Sequence, residues 1–194
     1  QGLRKNFPRH MFNLKLIHFL KWSHLFFIQD KIAIFVENSY KMDKQSKYRE
    51  LLSQIEVFAN AEDKAISVLS NCAAVMKMVF PKEYFWVGFY IVDGNELVLG
   101  PFQGTPACTR IKHGRGVCGT AWKEGRSIVV EDVEEFPGHI ACSSLSRSEV
   151  VVPIFSEGIV VGEIDIDSTE LSTFDDMDRE YLEKAAEIIA PFMA

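Results

Sequence analysis

Residues 85–102 read FWVGFYIVDGNELVLGPF, two runs of β-branched and aromatic residues on either side of Asp93-Gly94. Such residues suit a pleated, half-buried surface, and Asp-Gly supplies the positive φ that a tight hairpin turn demands. The stretch predicts a β-hairpin over 85–92 and 96–102. Before it the period is different. Leu51, Leu52, Ile55 and Phe58, then Ala65, Val68, Leu69, Cys72, Ala73, Met76 and Val79, recur every three or four residues, as on one face of a helix. Pro81 ends the second run. After the hairpin, strand-like segments are expected at 107–111, 127–131, 149–155 and 159–166, with a short helix over 117–123. The last two strands are joined across Ser156-Glu157-Gly158. A final helix is expected to start at Thr173, with Asp176 three residues on as its capping-box partner. Asp175 and Asp176 suit its positive end, and Met177, Tyr181, Leu182, Ala185, Ile188 and Ile189 give it an apolar face. This order predicts an α+β fold, an antiparallel sheet of five or six strands with the N- and C-terminal helices packed on one face.

A chain of 194 residues, 47% hydrophobic, holds one domain with a substantial core. The formal net charge of -6 argues against nucleic acid, whose phosphates call for a clustered basic surface, and favours a small-molecule ligand. The charge is unevenly spread: Arg4, Lys5, Arg9, Lys15 and Lys21 precede the first acidic residue, Asp30. Residues 1–41 are therefore read as a basic, aromatic extension, either a targeting segment or sequence the folded protein does not use, ahead of a domain over 42–194 that is expected to carry the function. The extension is too short in apolar run and too charged to span a membrane, and lacks the small-residue cleavage site of a secretory signal. A cytoplasmic protein is expected, or a mitochondrial one if the extension is a presequence. In such reducing surroundings four cysteines do not form a structural disulfide framework.

Three of the four, Cys108, Cys118 and Cys142, fall in the central region outside any evident core stripe and beside turn residues. Zinc is a poor match, because Cys108 and Cys118 stand ten residues apart with no C-x2-C or H-x3-H pair nearby. Redox chemistry needs an attacking thiolate, a thiol to resolve the sulfenic acid, and access for a reductant, and these cysteines supply the inventory. Glu149 opens one strand, and Asp165 and Asp167 alternate with Ile164 and Ile166 in the next, so both aspartates share a face. Beside Trp86 and Tyr90, these carboxyls predict a pocket apolar at one end and acidic at the other. Crowding and desolvation raise a carboxyl pKa, which allows one member to hold a proton at neutral pH and act as an acid.

The chain over 48–192 resembles the free methionine-(R)-sulfoxide reductases, which are single GAF domains. The resemblance rests on WVGFY at 86–90, LVLGPFQG at 97–104, Ala107-Cys108 with Arg110-Ile111, GRGVCGTA at 114–121, GHIAC at 138–142, Ser148-Glu149 and DIDS at 165–168. It implies that Cys142 attacks, that Cys108 resolves, and that Cys118 lines the site and exchanges disulfides. Cys72 matches none of these. It also implies free methionine-(R)-sulfoxide as substrate, a thioredoxin-type reductant, a homodimer, and no organic cofactor or metal. Thiolate attack on the sulfoxide sulfur requires a proton at the departing oxygen, for which Glu149, Asp165 and Asp167 are all candidates. Trp86 and Tyr90 are expected to flank the substrate methyl and thioether. Carboxylates can pair with the substrate ammonium only if it is not an amide, so a free amino acid is expected rather than a protein-bound residue.

Overall fold

The computed structural model describes residues 42–59, 64–140 and 142–193. The basic extension over 1–41 lies outside the described residues. Two helices come first, α1 (Lys44–Phe58) and α2 (Ala65–Val79). The hairpin β1 (Trp86–Asp93) and β2 (Glu96–Gln103) follows, then β3 (Arg110–Lys112), α3 (Gly116–Glu124) and β4 (Ile128–Val130). The chain closes with β5 (Ser148–Ser156), β6 (Ile159–Ser168) and α4 (Asp176–Ile189). The six strands form one sheet in the order β3-β2-β1-β6-β5-β4, with every neighbouring pair antiparallel.

Alternation along the strands gives the sheet two buried faces. Val87 and Phe89 of β1, Val150, Val152 and Ile154 of β5, and Ile164 and Ile166 of β6 are almost wholly withdrawn from solvent. They meet the layer made by α1, α2 and α4, whose Leu51, Ile55, Leu69, Met76, Leu182 and Ile189 are buried. Each such side chain contributes about 1.5–3 kcal/mol on leaving water. The opposite face is covered by α3 and the loops around it, where Val117, Cys118 and Ala121 join a cluster with Trp86, Tyr90, Leu97 and Val151. Gly119 brings α3 against the sheet edge, because a Cβ there would collide with the Lys112 carbonyl.

Three details differ from the sequence expectation. The helix α4 starts two residues later than Thr173 suggests: Asp175 is the N-cap and Asp178 its capping-box partner. The Thr173 hydroxyl is engaged elsewhere, with Ser168 Oγ at 2.9 Å and the Glu170 carbonyl at 3.2 Å, so it is not free to cap. Met177, expected on the apolar face, is 37% exposed, because the buried stripe runs through Asp178, Leu182, Ala185 and Ile189 and leaves Met177 at its edge. The strand expected over 107–111 shrinks to Arg110–Lys112, because the segment with Cys108 is held off the sheet by the contacts described next.

Candidate active site

The site is built on the sheet face beneath α3. Antiparallel register sets Trp86 opposite Asp167, Gly88 opposite Asp165 and Tyr90 opposite Glu163, while Glu149 of β5 stands opposite Asp167. Period-two geometry therefore gathers four carboxyls and two aromatic rings on one surface, as the alternation of Asp165 and Asp167 predicts. Gly88 makes room for this arrangement. A Cβ at that position would lie 2.5 Å from both Phe102 Cβ and the Trp86 ring, which folds back and stacks on Phe102 at 5.4 Å between centroids.

Cys108 and Cys142 are joined in a disulfide, with their Cα atoms 5.4 Å apart, although 34 residues separate them in sequence. The loop that carries Cys108 is fastened to β1 at two points. Trp86 Nε1 donates to the Thr105 carbonyl at 3.0 Å, and the Tyr90 hydroxyl donates to the Cys108 carbonyl at 2.8 Å. Cys142 belongs to the long loop between β4 and β5, which also supplies His139 and Ser146. Cys142, Asp165 and Asp167 line two adjoining recesses. One, partly open to solvent, continues to Cys118, His139 and Glu149. The other is walled by Trp86 and Tyr90. The acidic and aromatic ends of the expected pocket are thus both present, with the Cys142 side chain between them.

Cys118 sits in the first turn of α3, within the helix expected over 117–123, but it is buried with Val117 and Ala121 where a position outside the core was expected. Its Sγ lies 3.7 Å from Glu149 Oε1. Burial pushes its thiol well above the ordinary range, and the charges of Asp165, Glu163 and Glu149 reinforce the shift. A thiol held protonated is a weak nucleophile. Cys72, on the helical side, is likewise buried, and its thiol is pushed up to about 12.

Desolvation dominates the acids too. Glu149, Glu163 and Asp165 are raised well above the carboxylate range, first by burial and then by the charges of neighbouring aspartates. Burial also raises Asp167, to about 6, against a hydrogen bond from Ser146. Among the described residues no lysine or arginine is within ion-pair distance of these four; His139 Nε2 lies 4.0 Å from Glu149 Oε2. His139 is itself shifted down by burial, which favours its neutral form. Carboxyls raised in this way hold protons to higher pH than free ones, and this cluster can therefore donate one to an oxygen or accept a positively charged group in its place.

Sequence reasoning overlooked Glu163, His139 and Ser146. Glu163 was signalled, because it extends the alternation Glu163, Asp165, Asp167 by one step. His139 and Ser146 come from a loop without periodicity, where only the three-dimensional path brings them to the cleft.

Comparison with known proteins places this geometry in a family. Residues 68–194 match the family model described as GAF domain. The chain is 51% identical over 150 residues to GAF domain-containing protein A of Dictyostelium discoideum, covering 77% of this chain and 94% of that protein. It is 38% identical over 161 residues to the free methionine-R-sulfoxide reductase of Saccharomyces cerevisiae, covering 79% and 89%. A solved structure of free methionine-R-sulfoxide reductase from Neisseria meningitidis, in complex with its substrate, is 52% identical and superposes with a TM-score of 0.75, covering 78% of this chain and 91% of that one.

Proposed function

The chain belongs to the GAF-domain free methionine-R-sulfoxide reductases, and from that membership we propose that it is an oxidoreductase reducing free methionine-(R)-sulfoxide to methionine, with Cys142 as nucleophile and Cys108 as resolving thiol. The observation that carries this assignment is the Cys108–Cys142 disulfide at a recess walled by Glu149, Asp165 and Asp167. The substrate complex of the Neisseria meningitidis relative supports the choice of ligand. Catalysis is assigned to residues 42–194, which contain every group named.

In the proposed cycle the Cys142 thiolate attacks the sulfoxide sulfur while a carboxyl of the cluster protonates the departing oxygen. Methionine leaves, and the oxygen remains on Cys142 as a sulfenic acid. The Cys108 sulfur then attacks the Cys142 sulfur and the oxygen departs as water, leaving the disulfide. Two electrons have passed from the two thiols to the substrate, and a thioredoxin-type dithiol returns them through a mixed disulfide. Glu149 is assigned as the donor, a raised carboxyl that lines the same recess as Cys142. Asp165 and Asp167 line both recesses and are assigned to the substrate ammonium. Trp86 and Tyr90 form the wall for the methyl and thioether, where sulfur gains from contact with aromatic rings.

Methionine production by the full chain with a dithiol, measured on the free R and S sulfoxides and on the N-acetylated R form, tests the proposal. Turnover of the free R epimer is expected, with the other two at least a hundredfold slower. Equal turnover of the N-acetylated compound would remove the ammonium pairing, and no methionine from any of the three would reject the activity.

A further inference from the structure

The acidic cleft has the donor set of a cation site as well as of an amino-acid pocket. Cys118, Glu149 and Asp165 each offer one ligand atom, and these atoms all lie within 4.8 Å of one another. Around a tetrahedral zinc, bond lengths of about 2.3 Å to sulfur and about 2.1 Å to oxygen put the two ligand atoms about 3.6 Å apart. Cys118 Sγ and Glu149 Oε1 are separated by 3.7 Å, so one edge of such a site already has its length.

A second observation points to a ligand at the same place. Asp165 is 6% exposed, and its Oδ1 is buried with no hydrogen-bond partner. Deeper along the same face of β6, Glu163 is fully buried. Native proteins seldom leave buried carboxyl oxygens unpaired, because each forgoes its hydration without compensation. His139 Nε2, 4.0 Å from Glu149 Oε2, adds a neutral nitrogen at the rim.

We propose that Cys118, Glu149 and Asp165 bind one soft divalent cation of the zinc class. Thiolate with carboxylate and an imidazole nearby suits zinc, cadmium or cobalt, whereas magnesium and calcium take oxygen donors alone. Binding displaces protons from the thiol and the raised carboxyls, since each ligand coordinates deprotonated. Cys118 stays outside the disulfide, so the site persists when Cys108 and Cys142 are oxidised. On the reading given under Proposed function, the ion also competes with the substrate ammonium, which makes zinc an inhibitor competitive with the sulfoxide.

The test uses the full chain with its Cys108–Cys142 disulfide intact, titrated with cobalt(II) alone. One equivalent is expected to raise a thiolate-to-cobalt charge-transfer band in the near ultraviolet, and zinc is expected to bleach it. Cys118→Ser should abolish the band and Cys72→Ser should retain it. Should Cys118→Ser fail to fold, Glu149→Gln serves instead, with cobalt affinity at least tenfold lower. Absence of the band from the unsubstituted chain, or its survival in Cys118→Ser, overturns the proposal, as does unchanged affinity in Glu149→Gln. Metal binding is read without sulfoxide or reductant, so a chain that binds cobalt and makes no methionine would sink only the reductase reading.

Discussion

Along β6, Ile164 and Ile166 turn to the helical layer while Glu163, Asp165 and Asp167, one residue out of phase, turn to α3. The same five residues thus serve an apolar core and an acid cluster on opposite sides of one sheet. The helical side does hold a buried acid, Asp178, and treats it differently. Its carboxyl accepts from the Tyr48 hydroxyl at 2.6 Å and the Asp175 backbone N–H at 2.6 Å, and pairs with Lys44 at 2.5 Å. On the α3 side, Asp165 Oδ1 is buried with no hydrogen-bond partner. A buried acid that serves the fold is satisfied from within it; one left short of partners at a recess points to a group that arrives from outside.

The sharpest division of labour is predicted for substitutions on opposite faces. Phe89→Ala, on the helical side, should lower unfolding free energy by about 3–5 kcal/mol in chemical denaturation. Asp165→Asn and Glu149→Gln should instead cut kcat/KM by at least about a hundredfold, or about 2.7 kcal/mol of transition-state stabilisation, with no loss of melting temperature. A melting temperature that falls with activity in both variants would erase the distinction between the faces.

Acidity sharpens the comparison further. Asp167 is raised from 3.8 to about 6 in the folded chain, so the native state holds its proton more tightly than the unfolded one. Its stabilising contribution is complete below about pH 4 and is lost as pH rises through about 6. Asp167→Asn should therefore be more stable than the unsubstituted chain at pH 8, by on the order of 1–2 kcal/mol, with the difference vanishing near pH 4 in melts followed by circular dichroism. A difference independent of pH would mean that the carboxyl is not strained by burial. The smallest effect is expected at Tyr90→Phe, which removes the hydrogen bond to the Cys108 carbonyl. Loss of about 1 kcal/mol there should slow closure of the disulfide about fivefold in stopped-flow thiol trapping.

Elements with an unbroken period were legible before any coordinates. The hairpin from 85 to 102 and the two preceding helices are found within a few residues of their expected bounds, because their apolar spacing coincides with the faces they bury. Local competition spoiled the rest. Thr173 and Asp175 each have an aspartate three residues on, and only the engagement of the Thr173 hydroxyl by the β6–α4 connection decides between them. In the site, the shared face of Asp165 and Asp167 follows from period two alone, whereas their pairing with Trp86 and Glu149 depends on strand order and register. The partnership of Cys108 with Cys142 came from family resemblance, since a spacing of 34 residues carries no signal of contact. The helix holding Cys118 is found where expected, but its burial is not legible, because nine residues are too few to display an apolar stripe.

The central claim is the order of the two thiols, and one turnover in the absence of reductant reads it directly. Reduced Cys108→Ser given one equivalent of free methionine-(R)-sulfoxide should release one methionine per chain and leave a sulfenic acid that dimedone labels at Cys142, while Cys142→Ser releases none. No methionine from Cys108→Ser, or a dimedone label on Cys118 in place of Cys142, would contradict the account.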